Sequence, residues 1–143
     1  MRLVLDDPLA HRALDGLLRA EAAVRRRLSA DLEREGLSGA GFSVLVVLVT
    51  AGGELELRTL RRRLETSKAN ATEIVQTLVG RGFAERERLA HDRRALSVRI
   101  TPLGRELVDR LFPEHALRVT ATFSALDDEE KRTFAELCRK LAA

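Results

Sequence analysis

The sequence predicts a mainly α fold that carries one small β-hairpin. Apolar residues recur at spacings of three and four along most of the chain, behind capping residues such as Asp7, Ser67, Thr101 and Asp127. Leu96, Val98 and Ile100 instead alternate with Ser97 and Arg99, the period of a strand. Glycines at Gly36, Gly52, Gly53 and Gly82 mark where the helical patterns stop.

Asp7-Pro8 reads as a cap followed by proline at the first helical position. Leu14, Leu17, Leu18, Val24, Leu28 and Leu32 continue the pattern to Gly36, predicting one amphipathic helix of about 28 residues over 8–36. A helix of that length in a 143-residue chain cannot bury its whole stripe in one core, so its apolar face points to pairing with another chain. Ser38 can cap a second helix with Phe42, Leu45, Val46 and Val49 on one face, closed by Gly52-Gly53; the run 44–49 fits a buried strand equally well. Leu55 and Leu57 alternate with Glu54 and Glu56 as a very short strand. Leu57, Leu60 and Leu64 then follow helical spacing around Arg61, Arg62 and Arg63.

Ser67 is a plausible cap for a helix over 68–81. Its stripe is Ala71, Ile74, Val75, Leu78 and Val79, and Gly82 ends it. The opposite face carries Ala69, Glu73, Gln76 and Gly80, flanked by Asn70, Thr72 and Thr77. It is small, polar and holds one acid, unlike a solvated face dominated by Glu and Lys. Segments 83–89 and 95–100 read as strands joined by the basic connection Ala90-His91-Asp92-Arg93-Arg94. Thr101-Pro102 opens a helix lined by Leu103, Leu107, Leu111 and Phe112, which Pro113 is expected to kink or break. Asp127 and Glu130 form a capping box before Phe134, Leu137, Cys138 and Leu141. Cys138, on that stripe, reads as a small buried hydrophobe rather than a sensor.

Charge is unevenly placed. Residues 54–100 hold eleven Lys/Arg against seven Asp/Glu, and the rest of the chain fourteen against fifteen. A local basic excess suits a polyanionic partner. The element order over 38–100 is that of a winged helix-turn-helix, flanked by helical segments at 8–36 and 102–143. A second helix with a small polar face fits the major groove, where Asn and Gln bond adenine and Glu accepts from cytosine. Arginines on a hairpin reach phosphates or the minor groove.

Several residues carry a family resemblance. Thr72-Glu73-Ile74-Val75-Gln76-Thr77-Leu78-Val79-Gly80-Arg81-Gly82-Phe83, Glu85-Arg86, Asp92-Arg93-Arg94-Ala95 and Ile100-Thr101-Pro102-Leu103-Gly104 together resemble the multiple-antibiotic-resistance regulator (MarR) family. The shared pattern is a helix ending Leu-x-x-x-Gly-Leu/Phe, a wing with Asp-x-Arg and a strand ending Ile-Thr-x-x-Gly. The resemblance spans nearly the whole chain as a single domain, 1–143. It implies a homodimer that binds double-stranded DNA at an inverted-repeat operator, represses transcription, and in many members is released by a small-molecule effector or oxidation. It implies DNA contact by Ser67, Lys68, Ala69, Asn70, Thr72, Glu73 and Gln76 of the recognition helix and by Arg86, His91, Asp92, Arg93 and Arg94 of the wing, with Arg93 at the exposed tip and Arg94 paired with Asp92. Two positions depart from the pattern: Arg58 stands where a Ser/Thr-type cap is common, and Glu73 sets an acid towards phosphates.

The alternative reading is a winged-helix protein-interaction module without DNA binding. Catalysis finds no foothold, because no Gly-x-Ser-x-Gly, His-Glu-x-x-His or Walker loop is present. The three histidines and one cysteine match no metal-ligand spacing, and nothing calls for a cofactor. The opening residues 1–8 are too short and too soon acidic for a leader. The uncharged stretch 36–53 has an apolar heart of eight residues, short of the about 20 that a membrane span needs. A cytoplasmic protein is expected.

Overall fold

The computed structural model describes residues 3–142; of the opening segment 1–8, expected not to be a leader, Met1 and Arg2 lie outside the described residues. Helices α1 (Pro8–Leu28), α2 (Ala30–Arg34) and α3 (Gly39–Thr50) lead into strand β1 (Glu54–Glu56). Helices α4 (Leu57–Arg63) and α5 (Lys68–Gly80) follow, then β2 (Ala84–Leu89), β3 (Asp92–Ile100), α6 (Pro102–Thr122) and α7 (Asp128–Ala142). The hairpin gains a third, outer strand. β3 lies between β1 and β2, antiparallel to both, with Glu54 opposite Arg99 and Ala84 opposite Ile100.

The caps read from the sequence form as hydrogen bonds. Asp7, Ser38, Ser67 and Thr101 accept from the backbone N–H three residues on, at 3.0 to 3.1 Å. Asp127 and Glu130 close a reciprocal box at 2.8 and 3.0 Å. Each such cap is worth about 1 kcal/mol. The run 44–49 resolves as helix: Val44, Leu45 and Leu48 are fully buried, and Gly53, at φ 107°, donates its N–H to the Leu48 carbonyl to end the turn.

The core lies where α3, α4, α5, β3 and the start of α6 meet. Phe42, Leu48, Leu60, Val75, Leu78, Val98 and Leu107 are its centre. Burial of side chains of this size supplies about 1.5–3 kcal/mol each, which sets the pose of α5 on the lobe. Phe42 belongs to this core and packs edge-on against His115 of α6, ring centroids 4.9 Å apart.

Three expectations are corrected. The first helix is not continuous to Gly36 but breaks at Ser29, whose N–H closes on the Arg25 carbonyl. α2 then sends Leu32 into the core, while Arg118 of α6 pairs with Asp31 and Arg110 pairs with Glu35 at 3.0 Å. Those long-range attachments redirect the chain. α6 does not end at Pro113. Leu107 and Val108 are buried before it and Arg118 is paired after it, so tertiary anchoring on both sides outweighs a cost of about 3 kcal/mol. Cys138 is exposed, because no residue of α7 is buried within its own chain and most of the helix's apolar stripe stays uncovered.

No residue of α1 or α7 is buried. Leu14, Leu17, Leu18, Phe134, Leu137 and Leu141 are all at least 41% exposed, an apolar surface that single-chain packing leaves uncovered. No helix among the described residues is long and apolar enough to cross a membrane.

Candidate nucleic-acid interface

α5 sits on the core by Ala71, Val75 and Leu78, which turns Lys68, Ala69, Asn70, Glu73, Gln76 and Gly80 outward. Its start is tightly specified. Ser67 caps the backbone of Asn70, and the Asn70 side-chain amide donates to the Thr66 hydroxyl at 2.7 Å. The hydroxyls of Thr72 and Thr77 turn back to the carbonyls of Lys68 and Glu73. Among the described residues Glu73 forms no ion pair, so its carboxylate stands free on this face beside Asn70.

The wing is tighter than the sequence suggested. The turn proper is Ala90-His91, since Leu89 pairs with Asp92. The next pair is Arg88 with Leu96, so residues 93–95 bulge out of the ladder. Arg93 and Arg94 therefore sit on a bulge behind the tip, where an interrupted ladder re-aims side chains. Two bonds shape that bulge. Arg88 donates to the Arg93 carbonyl at 2.6 Å, and Asp92 accepts from the Arg94 backbone N–H at 3.0 Å. The expected Asp92–Arg94 partnership thus runs through the main chain and leaves the Arg94 guanidinium free of Asp92. Lower in the hairpin, Arg99 donates to Glu85 at 2.6 Å, a bond that raises the Arg99 pKa.

Helix and wing face each other across a cleft of about 520 Å³. Lys68 and Thr72 line it from α5, His91, Asp92 and Arg94 from the wing. Arg86 is exposed on β2, Ser67 is occupied in capping, and Asn70 and Glu73 line a separate groove beside Ser38 on the far side of α5. Arg58 and Arg61 of α4 and Arg88 of β2 also line the cleft, giving it five Lys/Arg against the two acids Glu56 and Asp92. Among the described residues Arg61, Lys68, Arg88 and Arg94 form no ion pair, and Arg58 meets Glu56 only at 3.8 Å. Such a surface concentrates positive potential in a concave site. Arg58 and Arg88 were missed by sequence reasoning. The signal for Arg58 was its three-residue spacing from Arg61, which puts both on one face of α4.

Comparison with known proteins gives this arrangement its family. The MarR family model matches residues 35–95, which run from the end of α2 into the wing. YkoM, an HTH-type transcriptional regulator of Bacillus subtilis, is 30% identical over 143 residues, covering 98% of this chain and 92% of that protein. The chain belongs to the MarR family of transcriptional regulators. YetL of Bacillus subtilis, an HTH-type transcriptional repressor, is 29% identical over 71% of this chain and 62% of its own length. A MarR family regulator of Streptomyces coelicolor, solved in complex with DNA, superposes with a TM-score of 0.73 at 23% identity, over 99% of this chain and 89% of that one. As a MarR family member the chain is a DNA-binding regulator of transcription, built as a winged helix-turn-helix between N- and C-terminal helices.

Proposed function

We propose that this MarR family protein is a sequence-specific repressor that acts as a homodimer on an inverted-repeat operator in the cytoplasm, without enzymatic activity. Residues 38–100 form the DNA-binding lobe, and 8–36 with 102–143 the dimerisation helices. The observation that carries the reading is the basic cleft between α5 and the wing, where among the described residues Arg61, Lys68, Arg88 and Arg94 form no ion pair. Lys68, Ala69, Asn70, Thr72, Glu73 and Gln76 enter the major groove, with Ser67 setting the start of the helix. Arg86, His91, Asp92, Arg93 and Arg94 bring the wing to the flanking backbone and minor groove. The uncovered leucines of α1 and α7 support the dimer, since pairing them removes apolar area from water at about 25 cal/mol per Å².

A small effector has a place to act. A cavity of about 750 Å³ lies between α1, the start of α3, α7 and the turn after α6, lined by Leu17, Val24, Leu28, Leu37, Phe123 and Phe134. It touches both the dimerisation helices and the DNA-binding lobe, so an apolar occupant would bias their relative pose.

The test is binding of the purified protein to DNA upstream of its own gene, at several salt concentrations, beside its mass in solution. A dimer whose log affinity falls steeply with log salt, by roughly 0.9 per neutralised phosphate, is expected. Half-sites should lie about one helical turn, roughly 34 Å, apart. A monomer, or equal affinity for operator and random duplex, would refute the reading.

A further inference from the structure

We infer that Thr66, outside the recognition helix, is a positioning residue that sets the base preference of Asn70; this rests on the DNA-binding reading above. Thr66 is half-buried in the turn between α4 and α5, where its N–H donates to the Arg61 carbonyl at 3.2 Å. Its branched side chain has few rotamers, so the hydroxyl is a stationary post. Asn70 is exposed and faces outward from the first turn of α5. An exposed amide ordinarily samples several rotamers. Here one of its hydrogens is held by the Thr66 oxygen at 2.7 Å.

Each asparagine amide has two donor hydrogens and one acceptor oxygen. With one hydrogen on Thr66, the amide still offers one N–H and one C=O in a fixed plane. That donor–acceptor pair matches the N7 and N6 positions of adenine in the major groove. Asn70 therefore arrives at DNA already oriented, and the rotamer freedom otherwise lost on contact is lost at folding. The hydroxyls of Thr72 and Thr77 are engaged with the carbonyls of Lys68 and Glu73, and among the described residues the amide donates to Thr66 rather than to the neighbouring Glu73 carboxylate. The geometry thus assigns specificity to a pair of residues, one of which need not touch DNA.

The experiment is selection of bound sequences from random duplexes, followed by competition with operators altered at one base pair. It uses the full-length wild type, Asn70→Ala, Thr66→Val and Thr66→Ser. Asn70→Ala should lose adenine preference at one position per half-site by roughly tenfold or more. Thr66→Val keeps the branched shape but not the acceptor. It should lower preference at that same position by about two- to tenfold, with affinity for random duplex unchanged. Thr66→Ser, which restores the oxygen, should recover most of the preference. Undiminished preference in Thr66→Val, or an equal loss across all sequences, would overturn the proposal. So would an Asn70→Ala profile matching that of a selective wild type. A wild type with no preference for any duplex would instead bring down the DNA-binding reading itself, whatever the variants do.

Discussion

A Cβ added to Gly104 would lie 2.2 Å from the carbonyl oxygen of Phe83, inside any allowed contact. α6 therefore passes the exit of the recognition helix at a distance only glycine permits. Thr101 completes the joint. Its hydroxyl donates to the Gly82 carbonyl at 2.6 Å while accepting from the Gly104 N–H at 3.1 Å, and its own N–H donates to Phe83 at 3.0 Å. The Thr-x-x-Gly signature thus has a mechanical meaning: it clips the end of α5 and the end of β3 to the start of α6.

Replacing Gly104 by alanine should cost stability at the upper end of the about 1–3 kcal/mol typical of overpacking, because the clash is with backbone that cannot rotate away. Gly80→Ala is the contrast, since an added methyl there meets nothing within 4 Å. At the exposed end of α5 it should be neutral or stabilising by up to about 1 kcal/mol. Urea unfolding at matched protein concentration separates the two. Similar losses for both would argue that the close approach at Phe83 relaxes easily.

Among the described residues Glu65 is the one non-glycine with positive φ, at 50°, in the turn joining α4 to α5. The left-handed conformation costs a residue with a Cβ about 1–2 kcal/mol, against about 0.5–1 kcal/mol for the extra freedom of an unfolded glycine. Glu65→Gly should therefore stabilise by about 0.5–1 kcal/mol, and Glu65→Val should destabilise. A thermal midpoint lowered by glycine would show that the glutamate makes an offsetting contact.

How far these features were legible follows from how local they are. The caps at Ser38, Ser67, Thr101 and Asp127 are decided within three or four residues, and each was readable. The break at Ser29 was not, because it depends on Asp31 meeting Arg118, 87 residues away. The bulge at Arg93 depends on a register that alternation alone leaves open after Leu96. The exposed place of Cys138 escaped for another reason: an amphipathic stripe shows that a face wants covering, not which chain covers it. In the candidate interface, the recognition helix face was legible from its composition. Arg58 left a signal in its spacing from Arg61, whereas the contribution of Arg88 emerges only once α4 and β2 converge on one cleft.

His115 makes a pH prediction with a definite sign. Its pKa is held below the ordinary 6.5, first by burial and then by the Arg118 charge. The folded state thus favours the neutral ring, edge-on to Phe42. Stability from this site is fully present above pH 6.5 and declines as pH falls from there through the lowered value. Asp31, lowered by its hydrogen bond from Arg118, adds a separate loss only below its ordinary 3.8. Denaturation between pH 7 and pH 5 should show the first decline in the wild type and a flatter curve in His115→Gln. Parallel curves would assign the titration elsewhere.

The wing offers a test of contact against geometry. Arg93 is exposed and free of ion pairs among the described residues, so Arg93→Ala should leave the fold intact. If it neutralises one phosphate in each protomer, the log–log salt slope should fall by roughly 0.9 per site. Arg88 holds the Arg93 carbonyl at 2.6 Å through a guanidinium nitrogen, a directional bond that an ammonium reproduces poorly. Arg88→Lys keeps the charge, so the slope should be nearly unchanged while operator affinity drops severalfold through a loosened bulge. An unchanged slope in Arg93→Ala would remove that residue from the interface. A fall in slope for Arg88→Gln, which removes the charge, larger than that for Arg93→Ala would make Arg88 itself a phosphate contact rather than only the support for its neighbour.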